Sequence, residues 1–197
     1  MDLGPDDYNL PGYFGGKRWT YYHLRTESHN TLLIDGKNQP SKAKAPVTHF
    51  RAGADDACAV VDLSAAYPMC KRVRRGMAMQ GRRVVVVQDE VRAERGVEVL
   101  WGMVTEAKPE IENDRVVLER DGKRLYGQIL APDGARFDTV SANPPKPQRQ
   151  QPDAVKLVVR LPGKVTEVRL AVAFSPDPKA LGRVEVRPLE AWAGPSK

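Results

Sequence analysis

Cysteine is scarce in this chain: Cys58 and Cys70 are the only two among 197 residues. Two thiols cannot make a disulfide framework, so the fold must rest on a hydrophobic core. One bridge or two free buried thiols both fit the sequence. No Cys-x-x-Cys occurs, which excludes a zinc ribbon. No apolar run is long enough for a membrane-spanning helix, so a membrane partner is not expected. Asp2, Asp6 and Asp7 make the start acidic, without the basic-then-apolar pattern of a signal peptide. Taken as written, that start predicts a cytoplasmic protein. Capped helical stripes and internal repeats are missing too. No Ser-His-Asp set, Gly-rich phosphate loop or pair of glycosidase carboxylates can be argued.

What remains is a chain long enough to bury a core, with 41% hydrophobic and 28% charged residues, the balance of a soluble globular protein. The formal net charge of +6 favours an acidic partner (nucleic acid, anionic lipid or acidic glycan) or reflects a solvated basic surface. The densest charge is Lys71-Arg72-Val73-Arg74-Arg75, with Arg82-Arg83 nearby. It reads either as a glycan-facing surface or as a charged edge strand that blocks aggregation. Aromatics are not interleaved with it, which argues against single-stranded nucleic acid.

Residues 1–18 have loop composition, with Gly4, Pro5, Pro11, Gly12, Gly15 and Gly16, yet carry Tyr8, Leu10, Tyr13 and Phe14, which should pack on something. Strands are then expected at Trp19–Leu24, Thr31–Ile34, Val47–Arg51, Cys58–Leu63, Lys71–Met79, Arg82–Val91, Val97–Thr105 and Ile111–Arg120. Four consecutive valines, Val84 to Val87, suggest a strand buried on both faces. Gly81 with Arg82-Arg83, and Asp121-Gly122, mark hairpins, the second leading into Lys123–Ala131. Residues 142–153 form a proline-rich loop. Val155–Leu161 and Val165–Phe174 alternate and should meet in a hairpin at Pro162-Gly163. Leu181–Trp192 either adds an edge strand or stays irregular. The pattern predicts an all-β protein, a large antiparallel two-sheet β-sandwich over residues 19–175, followed by a tail or edge strand over 176–197.

Between Trp19–Leu24 and Thr31–Ile34 lies a polar corner, Arg25-Thr26-Glu27-Ser28-His29-Asn30. Ionisable groups packed between two segments that want burial are costly unless paired or bound to something, so this corner is the best site candidate. Arg25 through Asp35-Gly36-Lys37-Asn38-Gln39 resembles the signature of the heparinase II/III-like polysaccharide lyases, in their C-terminal β-sheet domain. The opening Asp2 to Phe14 and the downstream Arg82 to Val91 fit the same family.

The resemblance implies a two-sheet sandwich that follows a helical toroid, in an enzyme that is usually periplasmic or secreted. It implies β-elimination on a uronic-acid-containing, acidic polysaccharide. His29 and Asp2 match ligands of a divalent metal, zinc most of all, with calcium as the other choice. A third ligand in that family comes from an upstream His-x-His strand, and this chain has none. The resemblance implies that Arg25 touches substrate or braces the metal shell, and Glu27 and Asn30 beside it are the other substrate-binding candidates. Arg25 and Glu27 equally read as an ion pair, and Asn30 as a turn cap. Tyr8 and Tyr13 lie in the loop where related lyases place an active-site tyrosine; packing is the other reading. Without the resemblance, His29 reads as a hydrogen-bonded core histidine. The family's toroid carries its principal acid and base, so the chain is expected to be an incomplete enzyme, inactive alone. A free-standing carbohydrate-binding or interaction module is the alternative.

Overall fold

Alternating burial along the strands sorts them into two antiparallel sheets. The computed structural model describes residues 1–193; the end of the expected tail, 194–197, lies outside the described residues. The shorter sheet takes β1 (Leu32–Ile34), β6 (Val99–Thr105), β11 (Val155–Arg160) and β10 (Arg136–Ser141), in the order β1-β6-β11-β10. The longer one takes β2 (Val47–Ala52), β3 (Ala57–Asp62), β4 (Arg72–Gln80), β5 (Val84–Val97), β7 (Lys108–Glu112), β8 (Arg115–Arg120), β9 (Lys123–Ala131) and β12 (Val165–Ser175). Its order is β2-β3-β4-β5-β12-β9-β8-β7. Leu32, Ile34, Trp101, Phe137, Leu157 and Val159 of the short sheet meet Val73, Val91, Leu170, Val172 and Phe174 of the long one in a single core. The Trp101 and Phe174 rings stack across it, with centroids 6.3 Å apart. The chain is therefore an all-β sandwich, as its pattern predicts.

Several local readings change. Trp19–Leu24 is not a strand. Residues 18–20, 22–24 and 26–28 are three successive 3-10 turns, whose backbone bonds close within three residues instead of pairing with a ladder. Pro162-Gly163 is not a hairpin turn, because β11 belongs to the short sheet and β12 to the long one; the segment crosses between layers. Strand β10, which the sequence did not announce, caps the short sheet by pairing with β11 from Arg136↔Arg160 to Ser141↔Val155. Cys58 and Cys70 are both free thiols.

The valine run is buried on one face only. Val84 and Val86 are buried while Val85 is 41% exposed. Phe50, Met77 and Met79 stand exposed on the same face as Val85, where the short sheet does not cover the long one. The strands closed on both faces are β12, from Leu170 to Ser175, and β11, from Lys156 to Val159.

The opposite face of the long sheet is closed by the tail, which joins neither sheet. It forms the short helix α1 (Pro178–Leu181) and a 3-10 turn at Leu189–Ala193. Gly76 on β4 makes room for it: a Cβ there would lie 2.3 Å from Leu189 Cδ2 and 2.6 Å from Trp192 Cζ3. Gly76→Ala is expected to destabilise the fold by about 1 to 3 kcal/mol through overpacking. A urea midpoint unchanged from wild type would contradict this docking.

The basic stretch 71–75 is not an edge. β4 lies inside the long sheet, between β3 and β5. Arg74 bonds Glu90 and Glu190, Arg75 bonds Asp89, Arg72 bonds Glu190 and Lys71 bonds Glu94, so all four cations are paired within the chain.

Candidate functional site

The three 3-10 turns carry the chain over the end of the short sheet and deliver His29 to the surface just before β1. His29 Nδ1 donates to Asp2 Oδ2 at 2.9 Å, which leaves Nε2 free on a ring whose side chain is 41% exposed. Asp2 is 60% exposed, and its Oδ1 accepts from the Gly4 N–H at 2.8 Å. Partial burial pushes the Asp2 carboxyl up, but the Gly4 N–H and the His29 contact outweigh it and hold the group below the usual aspartate range. Residues 27 positions apart are thus joined into an imidazole–carboxylate pair.

Arg25 Nη2 donates to Glu27 Oε2 at 2.8 Å, so these two form an ion pair within the corner. Arg25 Nε is buried without a partner. Asn30 does not cap its own turn. Its Oδ1 accepts from Val104 N at 2.7 Å and its Nδ2 donates to Met1 O at 3.0 Å, tying the corner to β6 and to the opening segment.

Beneath the corner are residues the sequence reading did not tie to it. Arg75 from β4 gives Nη1 to Asn30 O at 2.7 Å, and its Nε and Nη2 to both Asp89 oxygens at 2.8 Å. Asp89 is fully buried. Burial works against the Arg75 charge, and Asp89 outweighs it. Lys156 from β11 lies buried along the short sheet and gives its Nζ to Glu27 O. It lies in a channel made by Gly102, where a Cβ would stand 1.9 Å from Lys156 Cε. Burial drives the ammonium down from 10.5 to about 8; the Glu27 charge opposes this and Arg75 adds to it. Two buried cations therefore hold the carbonyls on either side of Ser28-His29.

Tyr67 completes the floor. Its hydroxyl donates to Leu32 O at 2.7 Å and accepts from Gln39 Nε2 at 2.7 Å. A lone charge inside an apolar run was the available signal for Lys156, and a charge at the end of a valine run for Asp89. Lys156 stands between Val155 and Leu157, and Asp89 follows four valines and a glutamine.

The tyrosines part company. Tyr13 is 2% exposed, enclosed by Tyr8, Phe14 and Tyr21, with the Arg18 guanidinium 4.9 Å above its ring. Tyr8 is 57% exposed. Its loop is clasped to the proline-rich loop by buried His23, which bridges Gly4 O and Arg149 O at 3.1 Å each, and by Asp6, whose Oδ1 accepts from Arg149 N.

Imidazole and carboxylate together can shuttle a proton or supply donors to a divalent cation. In kind, Asp2 and His29 suit zinc, and the carboxylate alone suits calcium. In number they fall short, since no third His, Cys, Asp or Glu joins them among the described residues.

No curated protein sequence matches the chain. Among solved structures, it is similar to the heparan sulfate lyase HepC from Pedobacter heparinus, with 18% identity and a TM-score of 0.63. The match covers 78% of this chain and 25% of that one. The heparinase III BT4657 gene product with methylated lysines is similar at 18% identity and a TM-score of 0.58, over 78% of this chain and 24% of that one. These likenesses speak for the fold, and the chain spans about a quarter of the neighbours' length. The family model for the heparinase II/III-like C-terminal domain matches residues 1–171. With that much of its length matched, the chain belongs to the heparinase II/III-like C-terminal family.

Proposed function

We propose that this chain is the β-sandwich portion of a polysaccharide lyase that cleaves uronic-acid-containing polysaccharides by β-elimination. The observation that carries the reading is the surface pair Asp2–His29, held on a corner whose carbonyls are fixed by Arg75 and Lys156. Family membership and the heparan sulfate lyase among the structural neighbours support it. In such an elimination a base takes the proton beside the uronate carboxylate, and a carbon–carbon double bond forms as the glycosidic C–O bond breaks. The leaving oxygen collects a proton. His29 would offer Nε2 for one proton transfer, with Asp2 fixing its tautomer. Arg25 would meet the substrate carboxylate when Glu27 releases it, with Asn30 keeping the corner in register.

In their other use, with the hydrogen bond between them opened, Asp2 and His29 would hold a divalent ion, zinc by their donor set, with a third ligand from outside the described residues, and His29 would then not carry the proton. When bound, that ion would supply positive charge beside the substrate. The remaining acid and base groups, and most of the sugar cleft, would come from a helical domain that these residues do not include.

Burial of Tyr13 favours the second reading, glycan binding without catalysis, because a proton donor sealed in an aromatic cluster does not reach a sugar. Titration with zinc and with heparan sulfate oligosaccharides separates the two. His29→Ala is expected to weaken zinc binding by more than about tenfold and to weaken glycan retention with it. The chain alone is expected to release no unsaturated product. Product from the chain alone sinks the view that it is catalytically incomplete. Glycan retention that survives both His29→Ala and chelation supports the binding module instead.

A further inference from the structure

On the face of the long sheet opposite Arg75 and the His29 corner, the tail and the sheet enclose two adjoining clefts. The first, about 570 Å³, has a floor of Cys58, Ala78 and Val86, which stand in one row across β3, β4 and β5. Trp192 and Arg183 wall it from the tail, and Arg51, paired in register with Cys58, walls it from β2. The second, about 350 Å³, shares Gln80 and Arg183 with the first and adds Arg83 and Lys179.

The two clefts are lined by five cations, Arg51, Arg83, Lys179, Arg183 and Arg187, against three carboxylates, Asp56, Asp177 and Glu185. Among the described residues, no carboxylate oxygen lies within 4.0 Å of the side-chain nitrogens of Arg51, Arg83, Lys179 or Arg183. The acids nearby are occupied. Asp56 takes the Gly81 N–H, Asp177 takes the Lys179 N–H, and Glu185 pairs with Arg187. Four unpaired cations therefore line a strip whose combined space is that of a ligand site. Trp192, packed on Gly76 by one side and only partly buried, lines the first cleft as the apolar group a sugar ring would meet. A single aromatic is too few for a run of stacked bases. Helix α1 and the Leu189–Ala193 turn lie beyond the residue 171 at which the family match stops, so this strip is built in part by sequence outside that match.

We infer that this strip is a second binding site for acidic oligosaccharide, taking sulfate or carboxylate groups on Arg51, Arg83, Lys179 and Arg183 and a sugar face on Trp192. The inference rests on the proposed acidic-polysaccharide reading. It adds a hold on the polymer remote from the corner, which raises avidity without entering the chemistry.

The test uses the full chain and a sulfated heparan tetrasaccharide, titrated calorimetrically at low salt. The paired substitution Arg51→Ala with Arg183→Ala is expected to lower affinity by roughly tenfold or more. Both side chains are exposed, so the unfolding midpoint should stay at the wild-type value. Charge reversal at Arg51→Glu should weaken binding further. A second component of the isotherm, abolished by His29→Ala and not by the arginine pair, would belong to the corner. Undiminished tetrasaccharide affinity in the arginine variants overturns the inference, whatever His29→Ala does. Displacement of the tetrasaccharide by inorganic sulfate at equal concentration overturns it too, since the strip would then be a simple anion site. If both sets of variants bind like wild type, the acidic-polysaccharide reading falls as well. Loss in the arginine variants alone supports the strip and leaves the corner's role open to its own zinc titration.

Discussion

Asp89→Ala is expected to destabilise the fold by about 3 to 5 kcal/mol, the largest loss from any single replacement near the corner. Asp89 is fully buried, and Arg75 keeps 13% of its side-chain surface. Removing the carboxylate leaves a guanidinium deep in the protein with only Asn30 O as partner. An unpaired buried charge costs more than the pair itself contributes, so the effect measures the orphaned Arg75 rather than the worth of the bond. Replacing both residues together, Asp89→Leu with Arg75→Met, should therefore recover most of the lost stability. It should not recover the corner, because Asn30 O loses its donor. Urea unfolding of the two variants checks this. Equal losses in the single and double variants would show that the pair stabilises on its own account. The exposed pair Arg92–Glu167 is the control, and its removal should leave the midpoint unchanged.

Stability should rise with pH between about 8 and 10.5, and Lys156→Met should abolish that rise. Folding lowers the Lys156 pKa from 10.5 to about 8. Below the lower value both states are protonated, and the folded protein bears the cost of a buried ammonium. Between the two values the unfolded chain still holds a proton that the folded chain has released, so raising the pH favours the folded state. The gain across the window is on the order of 2 to 3 kcal/mol. A neutral amine still donates to Glu27 O, so the corner survives deprotonation. Burial raises the Tyr22 and Tyr67 pKa values, so their ionisation favours unfolding at the alkaline end, equally in both proteins. The difference between wild type and Lys156→Met therefore isolates the lysine. Parallel stability curves for the two proteins between pH 7.5 and 9.5 would sink the assignment.

The strands with turn chemistry at their ends were readable from the sequence. Asp121 and Gly122 both take positive φ, 50° and 70°, and join β8 to β9 as an Asp-Gly pair should. The Asp2–His29 contact was approachable only through family resemblance, since no spacing rule links residues 27 positions apart. Trp19–Leu24 misled because its aromatics fit a half-buried strand equally well. In the folded chain the Tyr21 hydroxyl lies on Pro11 O of the opening loop, Tyr22 bonds Gln148 and Ser141, and Trp19 is half exposed. β10 escaped notice because only Phe137 on it is buried. The layer change at Pro162-Gly163 was hidden because a proline-glycine turn looks the same whether the next strand pairs or crosses over. Arg75, Asp89 and Lys156 follow no linear motif. Their roles arise from register, and only Lys156 leaves the trace of a lone charge within an apolar run.

The tethers of the corner span long stretches of chain. Asn30 is held by Arg75 and by Val104, 45 and 74 residues away, and Glu27 O by Lys156, 129 residues away. Each closes a large loop, and the entropy of closure opposes it until the intervening strands have paired. Hairpins such as β8–β9 can form early from local contacts. The corner can form only after β11 has docked beside β6 and β4 has settled against β5. During refolding, then, a probe on His29 should report a slower phase than tryptophan burial at the core, and the imidazole–carboxylate pair should be among the last native contacts to appear.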